Sequence, residues 1–396
     1  MATPQEIARM EAGPKTPAEK VWFDRYSHER LQAWRQVQDP FADACTSQMQ
    51  FRKPSGLLEE VERRAREEGG VFQAFLDECF RVPDWVDFEM MEAGRRFCRR
   101  NGALQGLILM CSSLVEGYAH NKPSQVLVST GRLQKDVSRR IYETGQMLHN
   151  MVGPDGLRPG GVGHRTLMEV RLLHSAVRQF LKNNPRFDVA KYDQPINQED
   201  MAGTILEFDF MVVRGMKRLG LHVSRADHES LHYMWRYAGF VLGVHEDLLT
   251  ATIEEQEVLA LQLTTHLYSP SKDSEALAKA LLRDMSQRPP FRLSYDQLLA
   301  FSRFLIGDKV ADDLNITSSV PAAAVVRLVR AGLVVGSLGQ QFLPDFVLRR
   351  VESWNHDFGR RTLQQGLGDA FTPPVKAAWT EVYVTMAGVM SPARTG

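Results

Sequence analysis

Cysteine is scarce in this sequence, with four in 396 residues, at Cys45, Cys79, Cys98 and Cys111. No two of them stand in a C-x-x-C pair, which excludes a zinc ribbon and a covalent haem attachment of the C-x-x-C-H kind. Their irregular spacing suits reduced, structural thiols. Net charge is lacking too: lysine plus arginine and aspartate plus glutamate number 48 each. A balanced chain gives no electrostatic case for nucleic acid or an anionic membrane as a partner. Strand signals are sparse, with no alternating Val/Ile/Thr run between tight turns and no Asn-Gly hairpin. The longest apolar run, 320–338, is interrupted by Arg327 and Arg330, and a spanning helix wants about 20 mostly apolar residues. Residues 1–26 show no apolar leader segment. The expectation is a cytoplasmic protein with no membrane span.

Apolar residues at 43% and charged residues at 24% make a globular chain rather than a disordered one. Helical periodicity recurs in segment after segment. The spacing predicts helices over 103–118, 136–152, 164–182, 197–219, 224–244, 252–268, 294–306, 322–338 and 345–365. Gly153-Pro154 and the glycine-rich stretch 156–163 separate the second from the third. Asn197 and Ser224 stand where N-caps belong. The fold class expected is all-α, a globin-like helical core with added N- and C-terminal helices. A helical extension is expected over 1–81, a catalytic domain over 82–345, and a helical extension and tail over 346–396.

On the helix 164–182, Leu167, Val170, His174, Val177 and Leu181 share one apolar stripe. Arg171 and Arg178 flank the histidine. A histidine at the centre of such a stripe is ordinarily a satisfied core residue. It can also present a ring nitrogen to a metal, and imidazole is the usual proximal ligand of haem iron. Cationic side chains at the edge of the stripe could meet haem propionates.

The preceding helix carries Arg140, Thr144, Met147 and Met151 on one face. Two hydrogen-bond donors on an otherwise apolar face suit the stabilisation of a developing anion, although Arg140 could equally pair with a carboxylate. The helix over 197–219 offers Met201, Thr204, Ile205, Phe208, Met211 and Val212, a wall that could line a flat apolar cofactor or simply be core.

Taken in order, Thr130-Gly131-Arg132-Leu133, Arg140 with Thr144, Arg171-Leu172-Leu173-His174, and Trp235-Arg236-Tyr237 with Gly243-Val244 resemble the catalytic core of the latex-clearing-protein-type rubber oxygenases. Fungal oxygenases of the mycophenolic acid pathway belong to the same family. The resemblance covers roughly 82–249. It implies non-covalent haem b, dioxygen as co-substrate, His174 as the proximal iron ligand, and Arg140 and Thr144 on the distal side. Met201 would touch the haem region and Arg171 would serve the cofactor. The chain departs from the rubber enzymes in carrying Glu143 where they have a lysine, and their catalytic glutamate has no certain counterpart, Glu116 being one candidate. Glu143 would turn outward to solvent, act as a base or alter gating.

One competing motif is His228-Glu229-Ser230-Leu231-His232, which matches the H-E-x-x-H of zinc proteases. A third ligand is wanting, Glu246 being the nearest candidate, and no strand precedes the helix. Three function classes follow. The first is a haem b-dependent oxygenase that cleaves or oxygenates an apolar, unsaturated isoprenoid- or lipid-like molecule, with an electron donor as an optional partner. The second is a haem-binding sensor without chemistry, and the third a zinc hydrolase.

Overall fold

Capping residues and apolar stripes set the architecture. Asp87 opens the helix Phe88–Ile108, accepting from the Glu89 amide at 2.8 Å. Asn197 opens Gln198–Phe208, accepting from Asp200 N at 3.0 Å. Ser224 does the same for Arg225–Val241 and Thr252 for Ile253–Leu267. Each cap satisfies an amide that the first turn of a helix leaves without a partner. The structure, a computed structural model, describes residues 4–49, 56–130, 137–340 and 343–368. The Gly131-Arg132-Leu133 part of the sequence motif and most of the C-terminal tail lie outside the described residues. Among those described, no strand occurs; the only β pairing is an isolated antiparallel bridge between His120 and Tyr268. The chain is all-α.

Five helices surround the region of interest. Val137–Val152 packs along Val162–Lys182, and Phe88–Ile108 packs along Arg225–Val241. The last described helix, Asp345–Leu367, lies across Phe88–Ile108 and Val137–Val152. One core runs through all of them, including Leu167, Leu172, Met151, Trp235 and Phe301.

Two expected helices are interrupted. The run 103–118 is not one α-helix: Phe88–Ile108 passes into a π-helical turn, Leu109–Ser113, and resumes as Leu114–Gly117. Such turns insert a residue and re-aim the side chains around them, often beside functional sites. The run 197–219 breaks at Asp209, whose backbone leaves the helical region and whose side chain is buried. A further helix, Asn121–Ser129, follows shortly after Leu114–Gly117.

The N-terminal helices are fastened to Val162–Lys182 by charge. Arg171 binds Asp39 and Arg178 binds Asp43, both on the segment that begins the helix Pro40–Ser47. Glu169 accepts from the amides of Leu57 and Leu58 at 3.1 and 2.8 Å, so it caps the helix Leu57–Glu68 from outside.

Val320–Gln340 contains the one described window long and apolar enough to cross a membrane, Val320–Ser337, at mean hydropathy 1.5. It packs on Tyr295–Ile306. Ala322 and Val326 are buried, and the Ser337 hydroxyl accepts from the His222 amide at 2.8 Å. Val320, Leu328 and Val335 face outward.

Candidate active site

His174 sits in the middle of the helix Val162–Lys182, partly open although its neighbours Leu173 and Ser175 are buried. Its Nδ1 is shielded from solvent and has no hydrogen-bond partner among the described residues. Burial pushes the imidazole down to about 4, with the Arg178 charge adding to the effect and Asp39 opposing it. The ring is therefore neutral across the physiological range. A neutral imidazole with an unengaged nitrogen, set on a helix of buried aliphatic residues, has the chemistry of a metal ligand.

The two arginines beside it are not available to a cofactor. Arg171 donates from Nε and Nη2 to the two oxygens of Asp39 at 2.6 and 2.9 Å, and from Nη1 to the Val241 carbonyl at 3.4 Å. Arg178 donates from Nε and Nη2 to Asp43 at 2.8 and 2.6 Å. Both are sealed from solvent. The expectation that Arg171 serves the cofactor is corrected by this geometry, because a guanidinium spent on a buried carboxylate has no fork left for a propionate.

Arg140 and Thr144 lie one turn apart on Val137–Val152, both half-buried. Arg140 Nη2 donates to the Tyr118 hydroxyl at 3.2 Å, and among the described residues no carboxylate pairs with it. Among those residues its charge is not compensated by a counter-ion, as an anion-stabilising group requires. Thr144 differs from the expectation. Its hydroxyl donates to the Arg140 carbonyl at 3.0 Å, leaving it an acceptor toward anything in front of it. Glu143 does not turn outward. It is buried and accepts from Arg139 Nε at 3.0 Å.

Thr144 lines a cavity of about 240 Å³. Its wall is mostly apolar, with Leu109, Met110, Leu148, Met151, Phe208 and Trp235 among the lining residues. Phe208 and Trp235 stack with ring centroids 4.9 Å apart. The cavity takes one side from the π-helical turn and another from Asp345–Leu367. Met151 was expected here and is present. Arg140, Met147, His174 and Met201 do not line it. Met201 is buried in the core, while its helix contributes Glu207 and Phe208 to the wall.

Three cavity groups were missed in the sequence. Glu207 is the first; burial, reinforced by the adjacent Glu116 charge, pushes its carboxyl up to about 8. Glu116 itself is ion-paired with Arg214. The other two are His149 and His356, whose rings stack with centroids 4.0 Å apart and planes within 9°. Burial holds His149 down to about 4 and lowers His356 as well. Glu207 lies on the same predicted wall as Phe208, so its helix was visible and its direction was not.

The H-E-x-x-H motif is not a metal centre. His232 Nδ1 is bonded to Asp209 at 2.8 Å, and its Nε2 to the Thr250 carbonyl at 3.0 Å. Glu229 pairs with Arg225 at 2.8 Å, and Glu246 with Arg81 at 2.7 Å. Among the described residues no three potential ligands cluster. His232 instead ties down the buried Asp209 at the helix break.

Comparison with known proteins bears on this arrangement. Residues 99–335 match the family model described as ER-bound oxygenase mpaB/B'/rubber oxygenase, catalytic domain. The chain is 25% identical over 290 residues to the rubber oxygenase of Streptomyces sp. (strain K30), spanning 72% of this chain and 70% of that protein. Its fold is similar to that of latex clearing protein LCP in the closed state, with a TM-score of 0.66 at 22% identity, covering 87% of this chain and 94% of the other.

Proposed function

We propose, from the premise that this chain belongs to the mpaB/B'/rubber oxygenase family and is an oxygenase, that it uses haem b and dioxygen to oxygenate or cleave an apolar, unsaturated, isoprenoid- or lipid-like molecule. The observation that carries the cofactor is His174: a neutral imidazole with no hydrogen-bond partner at Nδ1 among the described residues, on the helix packed against the one that bears Arg140 and Thr144. A satisfied core histidine would have its buried nitrogen paired. Haem b, when bound, would supply the iron chemistry that activates dioxygen.

The remaining work falls to this chain's own side chains. His174 holds the cofactor through a ring nitrogen. Arg140, oriented by the Tyr118 hydroxyl, presents a fixed positive charge to developing negative charge. Thr144 presents an oxygen lone pair into the cavity. The apolar wall around Met151, Phe208 and Trp235 takes the substrate chain and excludes water. The working compartment is proposed to be the cytoplasm.

The test is an absorption spectrum of the purified full-length protein, with haem quantified as the pyridine haemochrome. The wild type is expected to show a Soret band and near-stoichiometric haem. His174→Ala is expected to lose both while keeping its helical circular dichroism. A full Soret band in the folded variant would remove the ligand assignment.

A further inference from the structure

Most of the cavity wall is hydrocarbon, but one carboxyl stands in it. Glu207 lines the cavity beside Phe208, at the C-terminal end of the helix Gln198–Phe208. Among the described residues no hydrogen bond reaches its carboxyl; Arg214 is engaged by Glu116. The carboxyl lies directly on the chain at Gly117: a Cβ added there would fall 2.2 Å from Glu207 Oε1 and 3.0 Å from its Cδ. Glycine at 117 thus makes the seat that Glu207 occupies. A further group of the same wall, Ser113 Oγ, is buried with no hydrogen-bond partner among the described residues.

We infer that Glu207 recognises an uncharged oxygen function, a hydroxyl or carbonyl, on an otherwise apolar substrate chain. This rests on the reading of the cavity as the substrate pocket. A pure hydrocarbon filling the cavity would leave Glu207 unpaired in apolar surroundings, which is costly. A protonated carboxyl offers one donor and one carbonyl acceptor. It can therefore donate to a ketone or alcohol oxygen, or accept from an alcohol proton. Burial and the adjacent Glu116 charge keep it in that form at neutral pH. The substrate class is an unsaturated chain with a neutral polar head, which separates this pocket from one built for a hydrocarbon polymer.

The test is calorimetric titration of the purified full-length protein with geraniol and with 2,6-dimethylocta-2,6-diene, which share a ten-carbon diene skeleton and differ in the hydroxyl. The wild type is expected to bind geraniol about tenfold more tightly, the range of one or two good hydrogen bonds. Glu207→Leu is expected to bring that preference below about twofold by weakening geraniol alone, and Glu207→Gln, which keeps a donor and an acceptor, to retain most of it. Gly117→Ala, which displaces the carboxyl and leaves Glu207 in place, provides a second route to the same loss. Equal binding of the two ligands by the wild type, or a preference that survives Glu207→Leu, would overturn the inference. Binding is read without turnover, so haem content and oxygen uptake, measured separately, report on the oxygenase reading by themselves.

Discussion

Asp39 grips Arg171 with both carboxylate oxygens, at 2.6 and 2.9 Å, in a place where neither side chain meets solvent. Asp39 also caps the helix Pro40–Ser47 by accepting from the Ala42 amide at 3.3 Å. The N-terminal segment is thereby coupled to the helix that carries His174. It supplies counter-charges that this helix could not leave unpaired.

Removing this carboxylate leaves a buried guanidinium without a partner. Asp39→Ala is expected to destabilise the protein by about 3–5 kcal/mol, read as a fall in the midpoint of urea unfolding. Replacing both members by apolar residues of similar volume, as in Asp39→Leu with Arg171→Met, is expected to recover much of the loss. Burial raises the Asp39 carboxyl, but Arg171 outweighs it and the net direction is down. Its contribution to stability is therefore present above the ordinary carboxylate range and is lost as pH falls through the lowered folded value.

Gly243 closes the other side of the same pair. Its φ is +86°, a region that L side chains rarely adopt, and an added Cβ would fall 2.5 Å from both Arg171 Nε and Asp39 Oδ2. Gly243→Ala combines backbone strain with intrusion into the ion pair. A loss of about 2–4 kcal/mol is expected, with the same urea-unfolding readout. Gly102→Ala, on a helix with nothing within 4 Å of the added methyl, is the control expected to be neutral or slightly stabilising.

Much of this architecture was legible because apolar periodicity and caps are local. Asn197 and Ser224 announced helix starts that the structure bears out, and the boundaries of Val162–Lys182 follow from the Gly-rich loop before it and Asn183 after it. Stripe geometry correctly put Leu167, Val170 and Leu181 inside. What the stripes could not show is partner choice. Arg171 looked like a partner for a propionate because its counter-ion, Asp39, is 132 positions away. The π-helical turn at Leu109–Ser113 left no mark in an apolar run that reads as a continuous helix. Glu207 was passed over because its meeting with Gly117 is a tertiary contact between two helices.

Glu207 also carries a pH signature. Its folded value, up to about 8, lies above the ordinary value of 4.5. A group raised in the folded state contributes stability that is fully present below its unfolded pKa and is lost as pH rises through the folded one. The wild type is therefore expected to lose stability between about pH 4.5 and pH 8 through this group, on the order of 2 kcal/mol after allowance for its partial exposure. Glu207→Gln should flatten that part of the profile and exceed the wild type in melting temperature at pH 8. Identical pH profiles for the two proteins would show that Glu207 ionises freely.

Glu143 brings the departure from the rubber oxygenases to a physical test. It is 4% exposed and paired with Arg139 at 3.0 Å. It adjoins Thr144 in sequence, yet Thr144 lines the cavity and Glu143 does not. A lysine at this position would set a second cation beside Arg139 with little water to screen it. Glu143→Lys is expected to cost about 3–5 kcal/mol in stability, so restoring the lysine of the relatives alone should not give a better enzyme. Glu143→Gln keeps an acceptor for Arg139 and is expected to cost about 1–2 kcal/mol. The two roles open to Glu143 separate in its kinetics. A base acting on substrate would lose turnover when made Gln, by about 100-fold or more. A residue that only fixes the Arg139 side of the helix should keep oxygen uptake within about threefold of wild type, since Arg140 and Thr144 stay in place. The second outcome is expected, measured as oxygen consumption with saturating substrate at a temperature well below the variant's unfolding midpoint.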